Sequence, residues 1–206
     1  FLGNLFQQLY NTVDSLIVGN FLGSSALAAV SSSGSLIFML IGFLSGISAG
    51  AGVIVARFFG AGDEKNLQRA VHTTVAFGLV AGVLMTGVGV ALSPQILRWM
   101  DTPESVMRES VTYLQIYFAG SLGFVMYNVL VGILQAVGDS RHPLYYLIVS
   151  SVINLVLDLL FITGFHTGVG GAAVATVISQ IVSALLCFWQ LLRTKESYGL
   201  KIRKIR

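Results

Sequence analysis

The chain has 206 residues, 55% of them hydrophobic and 10% charged, at a mean hydropathy of +0.82. Soluble domains carry about 25% charged residues, so a water-soluble fold is excluded. The formal net charge of +3 is spread between apolar stretches and a short tail, which excludes a nucleic-acid-binding face, and the single Cys187 excludes an intrachain disulfide.

About 20 apolar residues cross a bilayer, and six stretches qualify: 1–22, 27–56, 67–93, 110–136, 144–165 and 170–192. The first opens on Phe1 already inside an apolar helix; it reads as truncated, with no signal peptide and with the natural N-terminus expected upstream. Its polar residues Asn4, Gln7, Gln8, Asn11, Asp14 and Ser15 follow helical spacing, with Leu2, Leu5, Leu9, Val13 and Leu16 opposite. The second stretch holds Gly42, Gly46, Gly50 and Gly52 and is expected to bend or tilt. Gly60-Ala61-Gly62-Asp63 separates it from the third. Asp101-Thr102-Pro103-Glu104 then reads as a cap with Pro at the first helical position of the fourth.

The fourth stretch carries Tyr117, Tyr127 and Asn128, and Gly138-Asp139-Ser140-Arg141-His142-Pro143 turns it into the fifth. On the fifth, Ser151, Asn154 and Asp158 share a face. Gly168, Gly170 and Gly171 open the sixth, where Thr176, Ser179, Gln180 and Ser183 recur at helical offsets. Pro is scarce, at 3 residues, so most spans are expected to be continuous, and 23 glycines suit helices that pack closely in lipid. Residues 193–206 form a basic tail or interlobe linker.

Charge assigns the sides. Of the 12 Lys and Arg residues, all but Arg98 and Arg108 fall on one side of the six-span arrangement, which makes that side cytoplasmic. The expected fold is an all-α, polytopic, six-transmembrane-helix bundle over 1–192. It lies in the cell membrane with both termini in the cytoplasm.

Asp14 and Asp158 lie in stretches that offer them no Lys or Arg. An ionised carboxylate is costly there, so each is a candidate functional residue. At about 1.5 Å rise per residue, Asp14 lies ~12 Å inside the outer end of its span, Asp158 ~10 Å and Thr176 ~9 Å, with Asn154 about one turn deeper. Asn128 falls nearer the cytoplasm. Carboxylate, amide and hydroxyl oxygens are hard ligands that suit Na+ or a proton rather than a thiophilic metal. The plainer reading, interhelical hydrogen bonding worth about 1 kcal/mol or less per group, is the better one for the serines. It is the weaker one for the acids.

Other chemistries find no support. His72, His142 and His166 lack metal-ligand spacing, and no phosphate-binding loop or activated nucleophile is present. An enzyme is therefore not expected, nor a cofactor. Trp99 and Trp189 sit near span ends, as interfacial anchors do.

Gly3-Asn-Leu-Phe-Gln-Gln-Leu-Tyr-Asn-Thr-Val-Asp14-Ser-Leu-Ile-Val-Gly19, Gly60-Ala-Gly-Asp63, Leu134-Gln-Ala-Val-Gly-Asp-Ser-Arg-His-Pro143, Ile153-Asn-Leu-Val-Leu-Asp158 and Gly171-Ala-Ala-Val-Ala-Thr176 together resemble the multidrug and toxic compound extrusion (MATE) family, N-terminal lobe. The resemblance implies one lobe of a twelve-helix antiporter that exports organic, often cationic, compounds in exchange for Na+ or H+. It implies a second six-helix lobe as partner, a small-molecule substrate and a lipid surround. It also implies that Asp14, Asn154, Asp158 and Thr176 form the N-lobe cation or proton site, with Asn128 nearby. A flippase of lipid-linked precursors in the same superfamily is an alternative, which the lack of Lys or Arg in the spans disfavours. A noncatalytic membrane assembly module is the other.

Overall fold

A helix that faces lipid on one side and protein on the other can afford apolar bulk outside and small or polar groups inside, the reverse of a soluble helix. The computed structural model describes residues 2–194 and 196–200, with the side chains of 2–11, Asp14, Ser25 and Ser32 outside that description. Its helices are α1 (Leu2–Gly60), α2 (Glu64–Trp99), α3 (Glu104–Ala119), α4 (Ser121–Ala136), α5 (Arg141–Leu159) and α6 (Gly168–Arg193), with a π-helical turn at Leu160–Gly164 after α5. α2 buries Gly78, Gly82, Gly89 and Ser93 while exposing Phe77, Val80, Val83, Leu84 and Val88. α5 buries Ser150, Asn154 and Asp158 while exposing Val149, Val152 and Val156. Both helices are built for a lipid surround.

Among the described residues, Ala26–Gly60, Glu64–Trp99, Arg141–Gly164 and Gly168–Arg193 are long and apolar enough to span, and α3 with α4 makes a fifth, bent by 50°. The expected span at 1–22 has most of its side chains outside the described residues; its backbone is helical from Leu2.

Two expectations need correction. The fourth stretch is not one continuous span: the chain bends at Gly120, between α3 and α4. Within α1 the backbone leaves helical geometry at Gly23 (φ 87°, ψ −179°), between the expected spans 1–22 and 27–56, and the glycines of the second stretch keep helical geometry. And Pro103 precedes the helix that starts at Glu104 rather than occupying its first position.

Gly23 occupies a region of backbone space that is essentially closed to residues with a Cβ. Gly23→Ala is therefore expected to destabilise the lobe by about 1–3 kcal/mol or to straighten α1 there. A thermal melt of the purified variant reads the first outcome, and wild-type stability with an unchanged bend would contradict the account.

The connections behave as their composition predicts. Asp63 caps α2: its Oδ1 accepts from the Asn66 N–H at 3.1 Å and its Oδ2 from Asn66 Nδ2 at 2.7 Å. These bonds, backbone first, hold its pKa below the ordinary carboxylate value, with Lys65 adding a little. A lowered folded-state pKa contributes stability above the unfolded value and loses it as pH falls through the folded one. Asp63→Ala should thus melt below wild type at neutral pH, and the gap should close in acid. A gap that persists unchanged in acid would contradict the cap.

α4 packs against α1, α2 and α6, around a core that includes Leu130, Ile133, Leu134, Val71, Val75 and Leu191. A second cluster joins Ile17 and Val18 of α1, Tyr113 of α3, Ile162 of the π-turn and Ala172 and Ala173 of α6. Of the π-turn, which begins two residues after Asp158, Ile162 packs into this cluster while Leu160, Thr163 and Gly164 are exposed. Residues 196–200 fold back: Gln68 Nε2 donates to the Ser197 carbonyl at 3.0 Å, and Leu200, 4% exposed, is part of the main core.

Candidate functional site

Helical periodicity puts Pro143, Leu147, Ser150, Asn154 and Asp158 on one stripe of α5, and all five are buried. Asp158 is 0% exposed and Asn154 1%. Asn154 Nδ2 donates to Thr176 Oγ1 across the α5–α6 interface at 3.4 Å, and Thr176 Oγ1 donates to the Ala172 carbonyl at 3.0 Å. Donation through Nδ2 leaves the side-chain oxygen of Asn154 as its acceptor atom. An amide and a hydroxyl thus meet across the α5–α6 interface, one turn of α5 from the buried carboxylate of Asp158.

Thr176 lies at the level of Asn154, not with Asp158 a turn away. α6 begins at Gly168, two residues before the expected span start, which sinks Thr176 by about 3 Å. Asp14 is on the helical backbone of α1, and its side chain is outside the described residues. The neighbouring Ile17 and Val18 pack in the cluster that holds Ile162, Ala172 and Ala173.

Asn128 is placed elsewhere. Its Nδ2 donates to the Phe124 carbonyl at 2.8 Å, and its own carbonyl accepts from Ser48 Oγ at 2.7 Å. With Ser45, Ser48, Tyr127, Gln135 and Arg141 it lines an open cavity of about 940 Å³ between α1, α4 and α5. The serines behave as interhelical and helix-internal links: Ser150 and Ser151 donate to the Leu147 carbonyl, Ser179 to that of Thr176 and Ser183 to that of Tyr146. Tyr146, whose hydroxyl donates to Gln190 Oε1 at 3.3 Å, was not singled out by its residue type. The signal was positional, since it stands one turn from His142 and one from Ser150.

No group of three or more His, Cys, Asp or Glu side chains able to hold a metal occurs among the described residues. An all-helical lobe with apolar faces turned outward and a buried acid–amide–hydroxyl cluster defines a polytopic membrane protein of the transporter class. The MatE family model matches residues 1–160, and the chain belongs to that family.

Relatives agree. The probable multidrug resistance protein YoeA of Bacillus subtilis is 37% identical over 199 residues, 95% of this chain and 43% of the relative. YpnP of the same organism, also described as a probable multidrug resistance protein, is 34% identical over 94% of this chain and 44% of its own length. A MATE crystal structure in a bent conformation superposes with a TM-score of 0.90 at 28% identity, over 99% of this chain and 46% of that one. A transporter of the family in an inward-facing conformation gives 0.89 at 28% identity, covering 97% and 46%. The chain thus spans less than half the length of these relatives and matches their N-terminal half. Members of the family are transporters, not enzymes.

Proposed function

We propose that this chain is the coupling lobe of an antiporter that exports organic, cationic compounds in exchange for Na+ or H+. The observation that carries the reading is Asp158, 0% exposed on the buried stripe of α5 one turn from Asn154, whose amide reaches Thr176, in a stretch without Lys or Arg. A buried acid of this kind is functional by default, because interhelical cohesion is available from far cheaper groups. Asp14, from the first of the expected spans, is assigned to the same set by the family resemblance alone.

The mechanism follows from differential binding. The coupling ion enters at the aspartates from the outer side and favours a state with low affinity for the exported compound. Ion and substrate need not touch; they need only prefer different states. The open cavity of about 940 Å³ beside Tyr127, Asn128 and Gln135 is of the scale that holds a small organic molecule, and a second six-helix lobe closes it. Rocking of the two lobes supplies alternating access. The face that bears the basic connections and both termini is cytoplasmic.

The test is transport by the full-length protein in proteoliposomes, with ethidium as the probe cation. Uptake that requires an imposed Na+ or pH gradient and stops when the gradient is collapsed supports the proposal. Uptake at the same rate without either gradient overturns it.

A further inference from the structure

Apart from the ion site, we propose that the cavity between the start of α2, the end of α6 and residues 196–200 seats the headgroup of a phospholipid that carries a primary ammonium beside its phosphate, the phosphoethanolamine type. The cavity measures about 960 Å³. One wall is α2, where Glu64, Gln68 and His72 recur at offsets of four and form one row, with Lys65 and Arg69 in the row beside it. The wall facing it is a fixed turn rather than a loose tail. The Gly199 N–H donates to the Glu196 carbonyl at 3.0 Å and the Leu200 N–H to the Leu191 carbonyl at 2.9 Å, while Tyr198 meets Phe59 edge to face with ring centroids 6.0 Å apart. The bond from Gln68 Nε2 to the Ser197 carbonyl at 3.0 Å sets the neighbouring Glu196 on the Gln68 side.

Glu64, Glu196, Lys65 and Arg69 all line this cavity, and none of the four makes an ion pair among the described residues. A solvated basic face accounts for Lys65 and Arg69 taken alone, but not for two acids set around the same cavity. A lining of zero net charge suits neither a plain anion, which the carboxylates repel, nor a plain cation, which the bases repel. It suits a zwitterion. Lys65 and Arg69 hold the phosphate, and Glu64 and Glu196 the ammonium. Gln68 then selects the kind of ammonium. Its Oε1 is buried with no hydrogen-bond partner, and such an acceptor is costly to keep. A primary ammonium brings the N–H donor that it lacks, and a quaternary one does not.

Depth favours a lipid as the source of that group. Phe77 is the first large apolar side chain that α2 exposes, and at about 1.5 Å per residue His72 stands ~8 Å from it and Arg69 ~12 Å. On α6, Trp189 is 50% exposed and the Arg193 guanidinium lies 4.8 Å from the centroid of its ring. Such a pair anchors a helix at the membrane–water interface. Leu192, beside Arg193, is part of the cavity wall. The cavity is therefore level with the headgroups rather than with the chains, and a lipid whose chains lie against the exposed apolar faces of α2 and α6 reaches it without leaving its leaflet.

The experiment titrates the full-length protein in detergent with dioleoyl lipids that share their chains and differ in headgroup, with bound lipid read by native mass spectrometry. Wild type should bind phosphatidylethanolamine about tenfold or more tightly than phosphatidylcholine, which has the phosphate but no N–H, and than phosphatidylglycerol, which has no cation. Glu196→Gln should bring the ethanolamine and choline lipids close together. Lys65→Ala combined with Arg69→Ala should weaken both. These side chains are exposed, so the variants should melt as wild type does without lipid, and the comparison of lipids on wild type needs no variant at all. Equal binding of the three lipids to wild type overturns the proposal, as does wild-type selectivity in Glu196→Gln and in the double variant. Soluble glycerophosphoethanolamine that displaces the lipid at equal concentration would show that the cavity takes a free solute, and the lipid assignment falls. None of these outcomes depends on Asp158.

Discussion

Asp158→Asn in the full-length protein is expected to cut ion-coupled export by about 5–150-fold while leaving expression and folding intact. Asn matches Asp in size and keeps one oxygen, so the fully buried position suffers no change of volume. What it loses, on the proposed reading, is the charge that an incoming cation or proton neutralises. Coupling free energies between sites run at about 1–3 kcal/mol, or 5–150-fold in affinity, and removal of the coupling group should cost efflux by a factor in that range. Asp14→Asn should behave alike. Export assayed in cells with a fluorescent organic cation, normalised to membrane expression, decides the matter. Normal ion-driven efflux in both variants would sink the assignment.

Gly120→Ala should be among the more damaging single-methyl changes in the lobe. Gly120 sits at the bend between α3 and α4, and a Cβ placed there would lie 2.3 and 2.4 Å from the two methyl carbons of Val177 and 2.9 Å from its Cβ. Val is stiff at χ1 within a helix, so Val177 cannot rotate away and α6 must move instead. Overpacking of this kind costs about 1–3 kcal/mol, and here it displaces the helix that carries Thr176. The second substitution Val177→Ala removes both clashing methyls. The double variant should therefore recover most of the stability that Gly120→Ala loses, as measured by thermal unfolding in detergent or nanodiscs. Additive losses would show that the contact does not set the bend.

How much of this was legible in the sequence follows from what each residue had to do. Asn154, Asp158 and Thr176 stood out because a polar side chain in an apolar stretch needs a reason, and helical spacing alone put Asn154 and Asp158 on one face. The Asn154–Thr176 contact follows once the two helices run antiparallel through a short connection. Asn128 is polar in the same way, but its amide bonds back to its own helix at Phe124. Polarity is legible in the sequence, and the direction in which a side chain faces is not.

The bends were the least legible feature. Gly120, between Ala119 and Ser121, looks like any other packing glycine, and the close approach of Val177 comes from α6, far along the chain. Gly42, Gly46 and Gly50 carry the same local signal and leave their helix intact, with nothing near the position of a Cβ. The π-turn after Asp158 has no composition of its own either. The outward apolar faces of α2 and α5, by contrast, follow from hydropathy alone.

The most direct test of the central claim is the thermal stability of the full-length protein as a function of Na+ and of pH at constant ionic strength. An ion that binds the native state and not the unfolded one stabilises it by about 2.7 kcal/mol at a hundred times its Kd. The account predicts that wild type gains stability with rising Na+ or with protonation, and that Asp158→Asn loses that dependence while melting cooperatively. The same ion dependence in wild type and in Asp158→Asn would contradict it.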